Sequence, residues 1–223
     1  MGSIRRAVPP VLLSCLLVAG CSSGSQSASD ASGKGGASAV GPSGSAVPAG
    51  AGKISVGAGP QTTCTVQQQP PAGSCHYRFE HGEPLEDLTC TPGAVSPAVT
   101  QANLATTICR KGGYTKNIRP PEAITRKEKQ ANAASYSYKG SLGDAEYDHL
   151  ISLQLGGDPN DARNLWVEPA DPGHKPGGGI NNKKDPVETK LHTAVCSGKV
   201  SLAAAQQAIV PDWTTALSTL GQG

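Results

Sequence analysis

The amino-acid sequence predicts an α+β fold, in which a mainly helical, disulfide-braced domain contains one small strand–loop–strand–helix unit. Three observations lead to this prediction. Segments with helix-capping residues recur from residue 96 onward. A stretch rich in strand and turn residues lies between two of these segments. Five cysteines lie in the part of the chain expected to fold, and cysteines outside the cytosol are expected to pair.

Residues 1–20 predict a lipoprotein signal peptide. Arg5 and Arg6 precede the apolar run "AVPPVLLSCLLVAG", which is too short for a stable membrane span. The run "LVAGC" resembles a bacterial lipoprotein box, in which Cys21 is the first mature residue and carries the lipid. A plain cleaved signal with an incidental cysteine is the alternative. The expected location is the bacterial cell membrane, with the protein lipid-anchored on the extracytoplasmic side.

Residues 21–60 predict a disordered tether. Of the 39 residues from 22 to 60, 31 are Gly, Ser, Ala or Pro, so the segment has too little apolar surface to offset the entropy of ordering it. The folded part is therefore expected to begin near residue 61. We divide it into a small cysteine-containing segment, 61–90, and a principal domain, 91–223.

The overall charge is nearly balanced, with 19 basic and 17 acidic residues. Loss of Arg5 and Arg6 with the signal leaves 17 of each, which argues against a general polyanion-binding protein. The distribution is uneven, because residues 110–139 contain eight basic residues and two acidic ones. This run is a candidate for contact with a phosphate backbone. A solvated face is the alternative.

The cysteines of the folded part are Cys64, Cys75, Cys90, Cys109 and Cys196. They contain no C-x-x-C spacing, so disulfides are expected rather than a zinc ribbon. Five is an odd number, which leaves one thiol over or bonded to another chain. We hypothesise that Cys109 pairs with Cys196, because both lie near the ends of predicted helices.

Four segments carry helix start signals, in which a capping residue precedes a helix-favouring run: 96–109, 125–138, 185–198 and 201–213. Their predicted caps are Ser96, Thr125, Asp185 and Ser201. Glu128 follows the second cap by three residues, as in a capping box. Gly198 is expected to end the third helix, and Pro211 to stop or kink the fourth.

The strand–loop–strand part of the unit lies between the second and third helices, in "EYDHLISLQLGGDPNDARNLW". Tyr147 to Leu150 reads as a strand, "GGDPND" as a turn driven by Gly and Pro, and "RNLW" as the returning strand. Such a hairpin places Asn164 opposite the end that carries Asp148 and His149. The helix near Asp185 completes the unit.

These side chains suit hydrolysis of a phosphodiester. Asp148 offers an oxygen ligand for a hard divalent cation, and His149 is able to take a proton from water near neutral pH. Asn164 is suited to fixing the loop or the imidazole by hydrogen bonds. An Asp-His pair on its own is more often a hydrogen-bonded structural pair, so the prediction depends on the ordered set.

The segments "DHLISLQLGG", "ARNLW" and "NNKKDPVETKLHTAVCSGKVSLAAAQQAIVPDW" together resemble the HNH or ββα-metal nuclease superfamily, and more closely its exported bacterial members. The resemblance covers roughly residues 90–213. It implies a ββα-metal (HNH-like) hairpin-plus-helix motif, with Asp148 as a metal ligand and His149 as the general base. It further implies that Asn164 is the middle Asn of the signature and Asn182 the third position, with Asn181 as the alternative.

The chain departs from the family pattern at two positions. Ser152 stands where many members have Pro, which is expected to change the stiffness of the loop. An Asn at the third position is a neutral oxygen ligand, so Mg²⁺ or Mn²⁺ is expected rather than Zn²⁺. His174, in a flexible Gly- and Pro-rich connection, is an alternative ligand.

The sequence therefore predicts a monomeric, membrane-tethered endonuclease that cleaves DNA or RNA with a divalent metal ion. This prediction requires Asp148 and Asn182 to share the ion while the imidazole of His149 faces solvent. Lys116, Arg119 and Arg163 are the candidate phosphate contacts. The alternative is a catalytically inactive surface lipoprotein that uses the same fold for binding.

The remaining histidines and tryptophans receive structural interpretations. His76 and His81 are expected at the surface, and His192 is expected to pair with Glu188 one helical turn away. Trp166 and Trp213 are expected in the core.

Overall fold

The computed structural model describes residues 53–180 and 182–223. The predicted signal peptide, Cys21 and the tether as far as residue 52 lie outside these residues. The described strands are Ser55–Val56 (β1), Arg78–Glu80 (β2), Glu83–Leu85 (β3), Ala94–Val95 (β4), Glu146–His149 (β5) and Leu165–Glu168 (β6). The α-helices are Glu122–Ser135 (α1), Lys184–Cys196 (α2), Leu202–Ile209 (α3) and Ala216–Thr219 (α4). The predicted mixture of helix and sheet is confirmed.

The strands form three two-stranded sheets. β1 pairs with β4 in parallel, while β2 with β3 and β5 with β6 form antiparallel hairpins. The pairing of β1 corrects the predicted tether, because residues 53–60 belong to the fold. Gly57 donates a backbone hydrogen bond to Val95 at 2.9 Å, and Gly59 donates one to the Asp158 carboxylate at 2.6 Å. Backbone pairing of this kind does not depend on apolar side chains, so composition did not reveal it.

The first predicted α-helix is wrong. Residues 101–106 form a 3₁₀ helix, and Asn103 inside it has non-helical φ and ψ of −116° and 18°. The Asn103 side chain accepts a hydrogen bond from the Thr100 backbone and donates one to Ala98. Local bonds between an Asn side chain and the backbone compete with a regular helix.

α1 begins at Glu122, three residues before the predicted cap Thr125. Pro121 directly precedes the helix, and the restricted φ of a proline is compatible with this position. The Thr125 hydroxyl instead donates to the carbonyl of Glu122 at 3.4 Å. Glu128, expected to complete the capping box, is buried and accepts from the backbone of Gln67 at 2.7 Å.

The later helix ends agree better with the sequence. α2 starts at Lys184, so the predicted cap Asp185 lies inside the helix, and its backbone N–H donates to Asn182 Oδ1 at 3.0 Å. Gly198 follows α2 with a positive φ of 75°, as expected of a helix-ending glycine. The predicted cap of α3 is confirmed, because Ser201 Oγ accepts from Ala204 at 3.2 Å. α3 ends before Pro211.

The main hydrophobic core lies between α2, α3 and the loop that follows β5. Its largest fully buried members are Leu85, Leu150, Ile151, Leu155, Leu191 and Ile209. Trp213 packs against this core, and its indole donates to Pro84 at 3.2 Å. Trp166 is buried beside the stacked rings of Tyr77 and Tyr136, whose centroids lie 4.6 Å apart. The predicted burial of both tryptophans is confirmed.

Two disulfides brace the described residues. Cys109 pairs with Cys196, which confirms the hypothesised bridge, and Cys75 pairs with Cys90. Among the described cysteines, Cys64 is the unpaired one. The contacts of Gln67, Tyr77 and Pro84 attach the 61–90 segment to the rest of the chain, so it is not a separate unit.

Two minor predictions have different outcomes. His76 and His81 are exposed, as expected. The pairing of His192 with Glu188 is wrong, because His192 Nε2 lies 2.9 Å from the carbonyl of Ile108. Glu188 is engaged by a lysine, described below. No helix in residues 53–180 or 182–223 has the length and apolar character needed to cross a membrane.

Candidate active site

The hairpin of β5 and β6 carries the predicted site residues. Glu146 pairs with Glu168, Asp148 with Trp166, and His149 with Leu165. One residue further, the backbone of Leu150 donates to the carbonyl of Asn164 at 2.9 Å. The predicted placement of Asn164 opposite the Asp148-His149 end is confirmed.

Asn164 fixes the loop between the strands. Its Oδ1 accepts from the Ile151 backbone at 3.0 Å, and its Nδ2 donates to the carbonyls of Ile151 at 3.0 Å and Asp158 at 3.1 Å. Gly157 permits this arrangement, since a Cβ there would lie 1.7 Å from the Ile151 carbonyl oxygen. Asn164 therefore holds both ends of the loop, and it does so from a fully buried position.

The imidazole of His149 is oriented by the same loop. Its Nε2 lies 3.1 Å from the carbonyl oxygen of Pro159. A carbonyl only accepts, so this bond requires the proton on Nε2 and leaves the lone pair of the neutral ring on Nδ1. Burial lowers the pKa of His149 to about 4, which keeps the ring neutral at physiological pH.

His149 does not face open solvent, contrary to expectation, because only 6% of the residue is exposed. It lines a cavity of about 220 Å³ together with Arg119, Glu146 and Asp148. The ring is thus buried among neighbouring residues at the edge of a space large enough for several water molecules.

Asp148 is bound to a lysine that sequence reasoning missed. Lys184, the first residue of α2, donates to Asp148 Oδ2 at 2.6 Å and to the carbonyl of His149 at 2.9 Å, and it also forms an ion pair with Glu188. The residue is only 1% exposed. Burial alone would lower the pKa of Lys184, but the carboxylates around it outweigh that effect and raise the pKa well above its ordinary range. Lys184 is therefore a buried ammonium ion.

Three carboxylates meet on one face of the hairpin. Oxygens of Glu146, Asp148 and Glu168 all lie within 4.8 Å of one another. Glu168 is 1% exposed, and neither of its carboxylate oxygens has a hydrogen-bond partner among the described residues. Burial, followed by the charge of Asp148, raises the pKa of Glu146 to about 7 and that of Glu168 well above its ordinary value.

The structure does not bring Asn182 to Asp148 by a direct contact. Asn182 Nδ2 donates to Glu146 Oε2 at 2.7 Å, while its Oδ1 is occupied by the Asp185 N–H. The role of Asn182 as a metal ligand stays a prediction. The alternative ligand His174 lies against Asp144, with 3.4 Å between Nε2 and Oδ1. Asn181 is outside the described residues.

The three basic residues predicted to contact phosphate differ in their surroundings. Arg119 is exposed and lines the cavity, and Lys116 is exposed on a nearby 3₁₀ helix. Arg163 is engaged by Asp161, with 2.5 Å between its Nη2 and Oδ2. Arg119 is therefore the basic residue best placed to meet a substrate in the cavity.

A second group with metal-ligand chemistry lies elsewhere, at Cys109, His192 and Cys196. The disulfide joins its two sulfurs, so the thiolates that bind metal are not present.

Comparison of this chain with protein-family models, with curated proteins and with solved structures finds no match.

Proposed function

We propose that this protein hydrolyses phosphodiester bonds of DNA or RNA with the help of a divalent cation, as an HNH-like endonuclease. The observation that carries the proposal is the bond from His149 Nε2 to the carbonyl of Pro159. This bond leaves Nδ1 as the basic atom of a neutral ring beside a carboxylate-lined cavity. Because His149 is buried and Asn182 does not contact Asp148, the two conditions set by the sequence are not met. The proposal instead requires that water reach His149 through this cavity and that carboxylates hold the metal ion. The β5–β6 hairpin followed by α2 has the strand–loop–strand–helix order that the sequence resemblance implies.

In this proposal His149 takes the proton of the attacking water. Its low pKa in the free protein keeps it unprotonated and ready to accept. An anionic phosphate that enters the cavity stabilises the imidazolium and raises the pKa toward the value that favours proton transfer. Asn164 is a positioning residue, because it holds the loop that carries Pro159.

The donor set beside His149 fits a hard divalent cation. Asp148 and Glu146 line the cavity, and the buried oxygens of Glu168 lack partners among the described residues. Carboxylates favour Mg²⁺ or Mn²⁺ over softer metals. When bound, such an ion supplies positive charge that stabilises the phosphate and the leaving oxygen.

Substrate binding is assigned to Arg119, and Lys116, which does not line the cavity, is a second candidate for contact with the substrate. Arg119 is an exposed guanidinium at the cavity wall, and guanidinium groups bind phosphate through paired hydrogen bonds. Arg163 is a weaker candidate, since its donors are engaged by Asp161.

We further propose that the protein acts outside the cytoplasm, anchored through a lipid on Cys21. The two disulfides support an oxidising compartment. The signal-like residues 1–20 and the lipoprotein-box pattern support the anchor.

The test is cleavage of plasmid DNA and of single-stranded RNA by the purified protein with MnCl₂ or MgCl₂. We expect metal-dependent cleavage of at least one substrate, and His149→Ala should lower its rate by about 10²- to 10⁴-fold. His76→Ala, which alters an exposed histidine, serves as the control. Absence of cleavage, or equal rates for the wild type and His149→Ala, would favour the non-catalytic binding protein.

A further inference from the structure

We propose that Glu146, Asp148 and Glu168 together form the binding site for one divalent cation, with Glu168 as its buried ligand. This inference deepens the proposed nuclease function by assigning the ligands of its metal. Glu168 takes the role predicted for Asn182, because Asn182 bonds to Glu146 and to Asp185, whereas both oxygens of Glu168 lack partners among the described residues.

The strand register brings the three carboxylates together. Side chains two residues apart on a strand lie on the same face, so Glu146 and Asp148 share one face of β5. Glu168 is the cross-strand partner of Glu146. Oxygens of all three residues lie within 4.8 Å of one another. Oxygen ligands bind Ca²⁺ or Mg²⁺ at roughly 2.0–2.6 Å, so a small inward adjustment of these side chains would place all three oxygens on one ion.

Glu168 provides an independent indication of a ligand. It is the one residue in the described part of the chain whose two carboxylate oxygens are both buried and without a hydrogen-bond partner. Buried polar groups in native proteins are almost always satisfied, and an exception calls for an explanation. A cation held between Glu168 and its two neighbours satisfies these oxygens.

The buried ammonium group of Lys184 does not satisfy the oxygens of Glu168. The hydrogen bonds of Lys184 Nζ go to Asp148, to the carbonyl of His149 and to Glu188, and none goes to Glu168. An ammonium has three donors, so these bonds use its full capacity. Lys184 thus compensates part of the negative charge without bonding to Glu146 or Glu168. Glu146 accepts from the neutral amide of Asn182, and Glu168 has no hydrogen-bond partner among the described residues. The cross-strand pairing of two ionised glutamates is itself unfavourable, and a cation between them would relieve the repulsion.

The cavity provides access to the ion. Glu146 and Asp148 line the cavity together with His149. Glu168 is covered, and its carboxylate forms the inner end of the proposed site. A cation bound there would have protein ligands on its inner side and room on the cavity side for water or a phosphate oxygen.

A protonated Glu168 is the competing explanation, and the isosteric change Glu168→Gln separates the two. Glutamine mimics the protonated acid but removes the negative charge of a ligand. Glu128→Gln is the matched control, because Glu128 is a fully buried carboxylate with one unpartnered oxygen and lies on α1, outside the cluster. The probe is Mn²⁺, whose free concentration is measured by electron paramagnetic resonance during titration of each purified protein.

We expect the wild type and Glu128→Gln to bind one Mn²⁺ with equal affinity, and Glu168→Gln to bind it at least about tenfold more weakly. Binding of Mn²⁺ to Glu168→Gln with the wild-type affinity would overturn the site, as would absence of binding to a folded wild-type protein. Circular dichroism of each variant establishes that it is folded.

The two proposals fail in different ways. His149→Ala is expected to keep Mn²⁺ binding and to lose cleavage. If the wild type binds Mn²⁺ through Glu168 but cleaves neither DNA nor RNA, the metal site stands and the nuclease function is wrong. If cleavage depends on His149 while Glu168→Gln binds Mn²⁺ normally, the function stands and the metal site is wrong.

Discussion

The Nε2 atom of His149 lies 3.1 Å from the carbonyl oxygen of Pro159, ten residues further along the chain. This contact fixes both the orientation and the tautomer of the imidazole. The loop between them is held in turn by the side chain of Asn164, which bonds to Ile151 and to Asp158. The base of the proposed reaction is therefore oriented by a loop carbonyl, and the loop is held by one buried amide.

The first prediction concerns the pH dependence of cleavage. Burial lowers the pKa of His149 to about 4, so the neutral ring persists as the pH falls from 7 to about 5. With Mn²⁺ kept saturating at every pH, kcat/KM should fall on the acid side only well below pH 6.5. The reason is that the pH dependence of kcat/KM reports the ionisation of groups in the free enzyme. A decline centred near pH 6.5 would indicate a solvated imidazole and would contradict the observed burial.

The second prediction concerns Asn164. Asn164→Ala removes hydrogen bonds to Ile151 and Asp158 in a fully buried position and should lower the free energy of unfolding by about 2–4 kcal/mol. Asn164→Asp should lower the free energy of unfolding at least as much, since it places a carboxylate against two carbonyl oxygens. Urea denaturation measures both effects. A loss below 1 kcal/mol in both variants would show that the loop does not depend on this side chain.

The third prediction concerns Lys184. Lys184→Met leaves Asp148 and Glu188 as buried charges without a partner, so we expect a loss of about 3–5 kcal/mol in unfolding free energy. Adding Glu188→Gln should recover part of the loss. The neighbouring Lys183→Met is the control, because Lys183 is largely exposed and solvent screens its ion pair with Glu83, so we expect a much smaller loss. Equal losses at the two positions would refute this account.

The fourth prediction concerns stability against pH in the presence of a chelator. Burial, then the charges of Asp148 and Asp185, raises the pKa of Glu146 from 4.5 to about 7. Between these values the folded protein holds a proton that the unfolded chain has released, so stability falls as the pH rises from about 4.5 to 7. Glu146→Gln should remove part of this decline, on the order of 2 kcal/mol.

Urea denaturation at pH 5 and pH 7.5 measures the decline in each protein. An identical decline in the wild type and in Glu146→Gln would mean that this carboxyl ionises as an ordinary surface group. The comparison reports Glu146 together with its effect on Glu168, because the charge of Glu146 contributes to the raised pKa of Glu168.

The fifth prediction ranks the two disulfides. The bridge from Cys109 to Cys196 spans 87 residues and that from Cys75 to Cys90 spans 15. Loop-closure entropy predicts losses of about 4.5 and about 3 kcal/mol when each pair is replaced by alanine. Cys64→Ser should change stability little, since Cys64 forms no disulfide within the described residues. A larger loss for the Cys75–Cys90 bridge would show that strain or residual structure, rather than loop length, determines how much each disulfide stabilises the protein.

The hairpin and the later helix ends were predictable from local sequence. Gly157, Asn164 and Gly198 each have a conformational or hydrogen-bonding role that follows from residue type at that position. Ser201 caps its helix as expected. These features are local or span a single hairpin, so sequence patterns capture them.

The charged centre was not predictable in the same way. Lys184 looks like an ordinary solvated lysine at a helix start, and its bond to Asp148 joins residues 36 positions apart. Glu168 is the last residue of an otherwise apolar strand, where an acidic residue usually marks the strand's end. An i, i+4 spacing from Lys184 to Glu188 was the available signal, and it indicates only a surface pair. Burial of these charges depends on the packing of α2 against the hairpin.

The pairing of β1 with β4 determines how mechanical force would enter the domain. Gly57 bonds to Val95, and Gly59 bonds to the carboxylate of Asp158, which immediately precedes Pro159. Tension along the polypeptide upstream of Lys53 would therefore load this short parallel ladder first. Peeling the ladder away would break the bond from Gly59 to the Asp158 carboxylate, while Asn164 would still hold the Asp158 carbonyl. Tension would therefore reach the loop that orients His149 through the residue next to Pro159.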